Sequence, residues 1–190
     1  MSFTPTVHKD TYSAIAPSQW DLSGKVVFIT GASRGIGRNT AISFARAGAS
    51  GIIIGARSTG ALEDAEKAVL NAAKQARGQA KIPKVLRLKL DMTDETSVHA
   101  AAKAVRETFG RLDILINNAG YMETYNRIAD VDAQDWWTTW TVNIKGTFLV
   151  TKALLPLLLE SEGGLRSIVN VSSIGAHMVF PGGSAYEVSR

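Results

Sequence analysis

The chain has no cysteine among its 190 residues, which excludes a disulfide framework and any thiolate-bound metal, and no metal site is expected. It has no uninterrupted apolar run near the roughly 18 residues that a membrane span requires. Residues 1–22 lack the apolar core of a secretory signal, and they carry Asp10 and Asp21 but no arginine, against the pattern of a mitochondrial presequence. A cytoplasmic protein with no membrane partner is the expectation. Basic blocks are absent as well. The 21 Lys and Arg are scattered among 17 acids, so the net charge of +4 describes a mixed, solvated surface and no nucleic-acid partner is expected. What is left is a length suited to one domain with a real core, and an ordinary 45% of hydrophobic residues.

The stretch Lys25-Val-Val-Phe-Ile-Thr30-Gly31-Ala-Ser33-Arg34-Gly35-Ile36-Gly37 organises the rest. Val26 to Ile29 are four apolar, mostly β-branched residues, which suits a strand buried on both faces of a parallel sheet. Glycines follow at once, and Arg38 to Ala47 reads as a helix with small and apolar residues on one side. Strand, glycine turn and helix together form a setting for a nucleotide pyrophosphate. Gly31 is expected to allow the tight turn, Gly35 to admit backbone N–H groups to the phosphates, and Gly37 to let the helix pack closely on the strand. Taken alone, the element also reads as a plain turn.

Gly51 to Ala56 is a second buried strand, completing a βαβ unit. Sites that prefer NAD place an acid at this strand's end for the ribose 2′-OH, and here Ala56 and Arg57 stand instead. Arg57 and Arg34 suit a two-guanidinium clamp on a 2′-phosphate, so NADP is the expected cofactor; a solvated loop arginine is the other reading of Arg57. Ala61 to Arg77 is a helix by spacing, broken over Gly78 to Pro83. Lys84 to Asp91 alternates Leu86, Leu88 and Leu90 with Arg87 and Lys89, the pattern of an edge strand with one wet face. Ser97 to Phe109 is the third helix, and Leu112 to Ile116 a buried strand. Tyr121 to Val131 reads as a loop near the site. A long helix starts at Asp135 and runs through Leu158, with Trp136 and Trp140 spaced to anchor one face on the core. Asn143 inside it needs a polar partner. Ser167 to Val171 is a fifth strand. Residues 1–23 form a surface extension that Tyr12, Ile15 and Trp20 are suited to dock, and residues 24–190 form the nucleotide-binding domain.

Two signatures, Thr30-Gly31-Ala-Ser-Arg-Gly-Ile-Gly37 and Asn117-Asn118-Ala119-Gly120, resemble the short-chain dehydrogenase/reductase family. Ser173 and Tyr186 are 186 − 173 = 13 residues apart, the separation of that family's catalytic pair, which selects Ser173 over Ser172. The resemblance covers residues 24–190. It implies an α/β, Rossmann-like doubly wound parallel sheet of strand order 3-2-1-4-5. It also implies an NADP(H)-dependent oxidoreductase moving a hydride between the nicotinamide and a small carbonyl or alcohol substrate. Gly31, Ser33, Arg34, Gly35, Ile36, Gly37, Arg57, Asp91, Met92, Asn118, Ala119 and Gly120 would bind the cofactor. Asp91 would reach the adenine amino group, and the turn Asp91 to Asp94 also reads as a helix N-cap. Ser173 would hold the substrate oxygen, Tyr186 would supply its proton and Asn143 would position a relay water. His177, Met178, Val179 and Phe180 would lie on a loop lining the substrate pocket, His177 without a catalytic role.

The family places a lysine four residues after its tyrosine, and here that position is Arg190, the last residue. Arginine supplies charge through a longer planar fork, so the exchange is not conservative. Relatives continue for about another third of their length, including further strands. The expectations are an incomplete reading of the gene or a naturally truncated product, an exposed edge on the fifth strand, a frayed Tyr186 and a 190-residue chain without turnover. The full-length form is expected to be a homo-oligomer. A truncated chain that binds nucleotide weakly or not at all is the alternative, and a Rossmann-like protein using another nucleotide-containing ligand is a third reading.

Overall fold

The computed structural model describes residues 12–76, 82–178 and 181–190. Its strands are β1 (Val26–Thr30), β2 (Gly51–Ala56), β3 (Lys84–Lys89), β4 (Ile114–Asn117) and β5 (Ser167–Asn170). They form one parallel sheet in the order β3-β2-β1-β4-β5, as the family resemblance implied. The helices are α1 (Gly35–Arg46), α2 (Thr59–Ala76), α3 (Glu95–Phe109), α4 (Ala133–Trp140), α5 (Thr147–Glu160) and α6 (Ser184–Ser189).

Every residue of β1 is buried, and successive side chains alternate between the two faces of the sheet. Val27 and Ile29 join Ala41 and Ala45 of α1 and Leu62, Ala65 and Val69 of α2. Val26 and Phe28 join Val98 and Val105 of α3 and Val150, Leu154 and Leu158 of α5. Two cores on opposite faces of one sheet are the doubly wound arrangement. Among the described residues β3 is an edge, paired with β2 alone, and its wet face is used: Arg87 meets Glu63 at 3.0 Å and Glu66 at 3.1 Å.

Several boundaries differ from the sequence reading, each for a local reason. α1 starts at Gly35, not Arg38, so the glycine turn runs directly into the first helical turn. α2 starts two residues early at Thr59, Ala76 is exposed, and Arg77 with residues 78–81 lies outside the described residues. α3 starts at Glu95 because Asp94, not Asp91, is the N-cap, accepting the Thr96 N–H at 2.9 Å. β4 starts at Ile114 because Asp113 is spent on a different task. Its buried carboxylate accepts the Val26 N–H at 2.8 Å and pairs with Arg111. The guanidinium of Arg111 is itself raised in pKa, first by its hydrogen bond to Asp113.

The long helix starts at Ala133, because Asp132 accepts the Asp135 N–H at 2.7 Å. A π-helical segment, Thr141–Gly146, joins α4 to α5. This 28-residue run is the one helix among the described residues that is long and apolar enough to cross a membrane, which the sequence reading did not foresee. Leu149, Val150, Leu154, Leu157 and Leu158 are buried in the core, a use that accounts for much of its apolar character. Of the three tryptophans, Trp136 and Trp140 are half-buried as expected for an anchored face, while Trp137 is exposed.

The N-terminal extension is described only from Tyr12, and Tyr12, Ile15 and Trp20 are each more than half exposed, contrary to the docking expected of them. Leu22 is an attachment point: its N–H donates to Ala47 O at 2.9 Å and its side chain packs on the α1–α2 core. Among the described residues β5 pairs with β4 alone, and Ile168 and Val169 are 40% and 45% exposed. The expected open edge is there.

Candidate active site

A cleft of about 880 Å³ opens at the carboxyl ends of β1, β2 and β4. This is the point where the strand order reverses on either side of β1, the position at which open α/β sheets bind ligands. Gly31, Ser33, Arg34, Gly35, Ile36, Arg57, Asp91, Met92, Asn118, Ala119, Gly120, Tyr186 and Arg190 all line it. Gly37, Asn143 and Ser173 do not.

The glycine loop is shaped by backbone that side chains tolerate poorly. Gly31 has φ +65° and a Cβ there would fall 2.8 Å from Ala119 Cα. Gly37 is blocked for another reason: its Cβ would fall 2.5 Å from Asn118 Nδ2 and from Gly31 O. Gly37 therefore admits the Asn118 side chain and the loop that follows β1. Gly35 (φ +56°) faces open space, which leaves its surroundings free for a ligand.

Thr30, Asn118 and Ala119 lock this loop to the end of β4. The N–H groups of Asn118 and Ala119 both donate to Thr30 Oγ1 at 3.0 Å, and Asn118 Nδ2 donates to Thr30 O at 2.9 Å. The second signature thus builds the floor of the cleft by holding the first one in place. Thr30 is fully buried and was no site candidate in the sequence, where it only opens the first signature. Below it, Asn117 Nδ2 ties Thr151 Oγ1 at 3.0 Å and Asn170 Oδ1 at 2.9 Å, joining α5 and β5 to the same point.

At the β2 end, Arg34 and Arg57 are exposed on the cleft wall beside Ala56, and neither forms an ion pair among the described residues. Asp91 accepts the N–H and hydroxyl of Thr93 at 2.9 and 2.7 Å. Those two bonds, with the charge of Arg57 as a lesser cause, hold its carboxyl below the ordinary value. Met92 packs under Gly146 of the π segment, where a Cβ would lie 2.7 Å from Met92 Cγ.

At the other end sits Tyr186. The ring of Tyr186 and the hydroxyl of Ser173 both approach Gly175: a Cβ there would be 3.7 Å from Tyr186 Cδ1 and 3.5 Å from Ser173 Oγ. Ser173 Oγ accepts the Gly175 N–H at 3.2 Å, so its own proton is left for another acceptor. The Arg190 guanidinium donates to Ala119 O at 3.1 Å and Asn118 O at 3.3 Å, laying its fork over the second signature. Asn143 is 4% exposed, and its amide is occupied by protein groups: Oδ1 accepts the Tyr121 N–H at 2.8 Å, and Nδ2 donates to Tyr121 O at 2.9 Å and Ser189 Oγ at 2.8 Å. Its side chain positions the strand-end loop and does not face the cleft. The fraying expected of Tyr186 is not observed. α6 is tied to the π segment at Ser189 and to α4 by Trp136 Nε1, which donates to Ser184 Oγ at 3.0 Å. His177 and Met178 are exposed and off the cleft wall, and Val179 and Phe180 lie outside the described residues.

Tyr121 is a second tyrosine on the wall that the sequence reading left in a loop. Its hydroxyl donates to Asp135 Oδ1 at 2.6 Å, and that bond, ahead of desolvation and the Asp135 charge, raises its pKa above 10.0. Tyr121 is therefore a poorer proton donor than an unencumbered tyrosine. Reciprocally, the Tyr121 hydroxyl and then the Thr124 N–H depress the Asp135 carboxyl below 3.8. A depressed acid adds stability that is present above its unfolded value and lost as pH falls through the folded one. An NMR titration should find Asp135 protonating below 3.8, and Tyr121→Phe should move that midpoint upward. An unmoved midpoint would remove the hydroxyl as the cause.

Comparison with known proteins places this geometry in a family. The short chain dehydrogenase family pattern matches residues 25–190. A short chain dehydrogenase of Monascus purpureus is 52% identical over 183 residues, which are 96% of this chain and 61% of that protein. Carveol dehydrogenase from Mycobacterium avium, solved in complex with NAD, superposes with a TM-score of 0.78 at 26% identity, over 90% of this chain and 62% of that one. A short chain dehydrogenase from Shigella flexneri complexed with NADP gives 0.73 at 30% identity, over 88% and 66%. The chain thus spans about 61% of the length of the curated relative it matches. With its sheet order, its glycine loop and its Asn-Asn-Ala-Gly floor, the chain belongs to the short-chain dehydrogenase family.

Proposed function

We propose that the chain forms the nucleotide-binding and catalytic part of an NADP(H)-dependent oxidoreductase acting on a small carbonyl or alcohol. The observation that carries the cofactor choice is the pair of arginines, Arg34 and Arg57, unpaired among the described residues on a cleft wall that lacks an acid at Ala56. The residues present fit a dinucleotide. Open space beside Gly35 leaves room for the pyrophosphate, and Ser33 and Ile36 line the approach. A bound nicotinamide supplies or accepts the hydride. The chain's own residues handle the oxygen and its proton.

In the reducing direction, Ser173 Oγ donates a hydrogen bond to the substrate oxygen as negative charge develops on it. Tyr186 Oη transfers its proton to that same oxygen. Arg190, lying over Asn118 and Ala119, brings a fixed positive charge to the wall that Tyr186 also lines. Tyr121 is the poorer donor because Asp135 holds its proton. The family relatives support an oxidoreductase over a chain that only binds nucleotide. A cytoplasmic location and homo-oligomeric assembly of the full-length form belong to the same reading.

The test is NADPH oxidation by the full-length protein, assayed against a panel of ketones, aldehydes and quinones with product identified. Alcohol formation matched mole for mole to NADPH consumed is expected. NADPH binding with no consumption across the panel would favour the binding-only alternative.

A further inference from the structure

Glu123 stands three residues beyond the Asn-Asn-Ala-Gly floor and is 2% exposed. A buried carboxylate needs partners, and no basic side chain among the described residues lies within ion-pair distance of it. Its partners are hydrogen-bond donors on two other elements. Oε1 accepts the backbone N–H of Ala185 at 2.8 Å and of Tyr186 at 3.1 Å. Oε2 accepts the hydroxyl of Thr139, itself fully buried on α4, at 3.0 Å.

The two N–H groups belong to the first turn of α6, where intrahelical acceptors are lacking. The residue before the helix, Gly183, has no side chain to cap them. Glu123 thus caps α6 from a distant part of the chain, and one of the groups it holds is the main-chain N–H of Tyr186 itself. We infer that Glu123 is a positioning residue for Tyr186, setting where the tyrosine stands relative to the floor from which Glu123 itself extends. Thr139 fixes the other carboxylate oxygen, so the carboxylate cannot swing without losing α4. Trp136, bonded to Ser184 on the same first turn, adds a second tether but leaves the Ala185 and Tyr186 N–H groups to Glu123 alone.

This inference rests on Tyr186 being the proton donor, and the controls separate the two. In the full-length protein, Glu123→Ala should lower kcat by about a hundredfold, the scale of an ångström-sized misplacement of a reacting group. NADPH affinity should stay within about twofold, since Glu123 does not line the cleft. Glu123→Gln keeps one acceptor oxygen for the two N–H groups and should recover much of kcat, which also covers the case in which the alanine variant fails to fold. Thr139→Val should lower kcat in the parent but have no further effect in the Glu123→Ala background. Tyr186→Phe is run beside these. If Tyr186→Phe abolishes turnover while Glu123→Ala and Glu123→Gln both keep parental kcat, the positioning role is wrong. It is also wrong if kcat and NADPH affinity fall in parallel, because that marks general loss of structure. If Tyr186→Phe itself keeps turnover, the donor assignment has failed instead.

Discussion

Tyr186→Phe in the full-length protein should reduce carbonyl turnover by about 10²- to 10⁴-fold, the range of a lost general acid. NADPH affinity should barely change, because the phenol hydroxyl acts in the chemical step and the ring stays to fill its place. The expectation comes from three placements. Tyr186 lines the cleft, its ring and Ser173 Oγ both approach Gly175, and its helix is tethered at Ser184, Ala185, Tyr186 and Ser189. Tyr121, the other tyrosine on the wall, is not a ready substitute while Asp135 holds its proton. Single-turnover rates measured with saturating NADPH separate the chemical step from binding. Substantial turnover in Tyr186→Phe would move the proton donor elsewhere. In the same assay, Arg190→Lys tests whether the guanidinium, now spent on Ala119 O and Asn118 O, limits the rate.

The second large effect is on cofactor choice. Full-length protein should bind NADPH more tightly than NADH by about 1.5–3 kcal/mol, roughly ten- to 150-fold, the scale of charge-assisted contacts to a dianion. Both arginines are exposed, so salt should erode the preference, and the titration belongs at low and physiological ionic strength. Ala56→Asp combined with Arg57→Ser should reverse it. The new carboxylate would accept from the ribose 2′-OH and repel a phosphate at the same place. Equal affinity for the two cofactors in the parent protein would sink the clamp.

Much of this protein was legible in its sequence because the relevant signals are local. A short run of mostly β-branched apolar residues ending at a glycine turn suits a strand covered on both sides, and β1 is that strand. Alternation of Leu86 and Leu88 with Arg87 and Lys89 fixes an edge, and β3 is that edge. Positive φ at Gly31 and Gly35 follows from a tight turn between strand and helix, which the residue type announces. The strand order then followed from the family's connectivity.

What the sequence did not carry are contacts between residues far apart in the chain. Gly37 gives way to Asn118, some 80 residues on, and nothing near Gly37 says so. Asn143 was recognisable as a polar residue needing a partner, but its partners, Tyr121 and Ser189, are set by how the π segment turns its amide inward. Glu123 carries no local signal beyond its place in the Tyr121 to Val131 loop; burial by α4 and α6 makes it the cap of the helix that bears Tyr186. Tyr12, Ile15 and Trp20 offered apolar area, but apolar type alone does not set burial, and each remains more than half exposed. Periodicity and residue type therefore determined the elements and the cofactor loop, since hydrophobic patterning and backbone sterics act within a few residues. Only the packing of those elements decided which polar groups meet, because a hydrogen bond depends on where two chain segments arrive and not on what lies beside either of them.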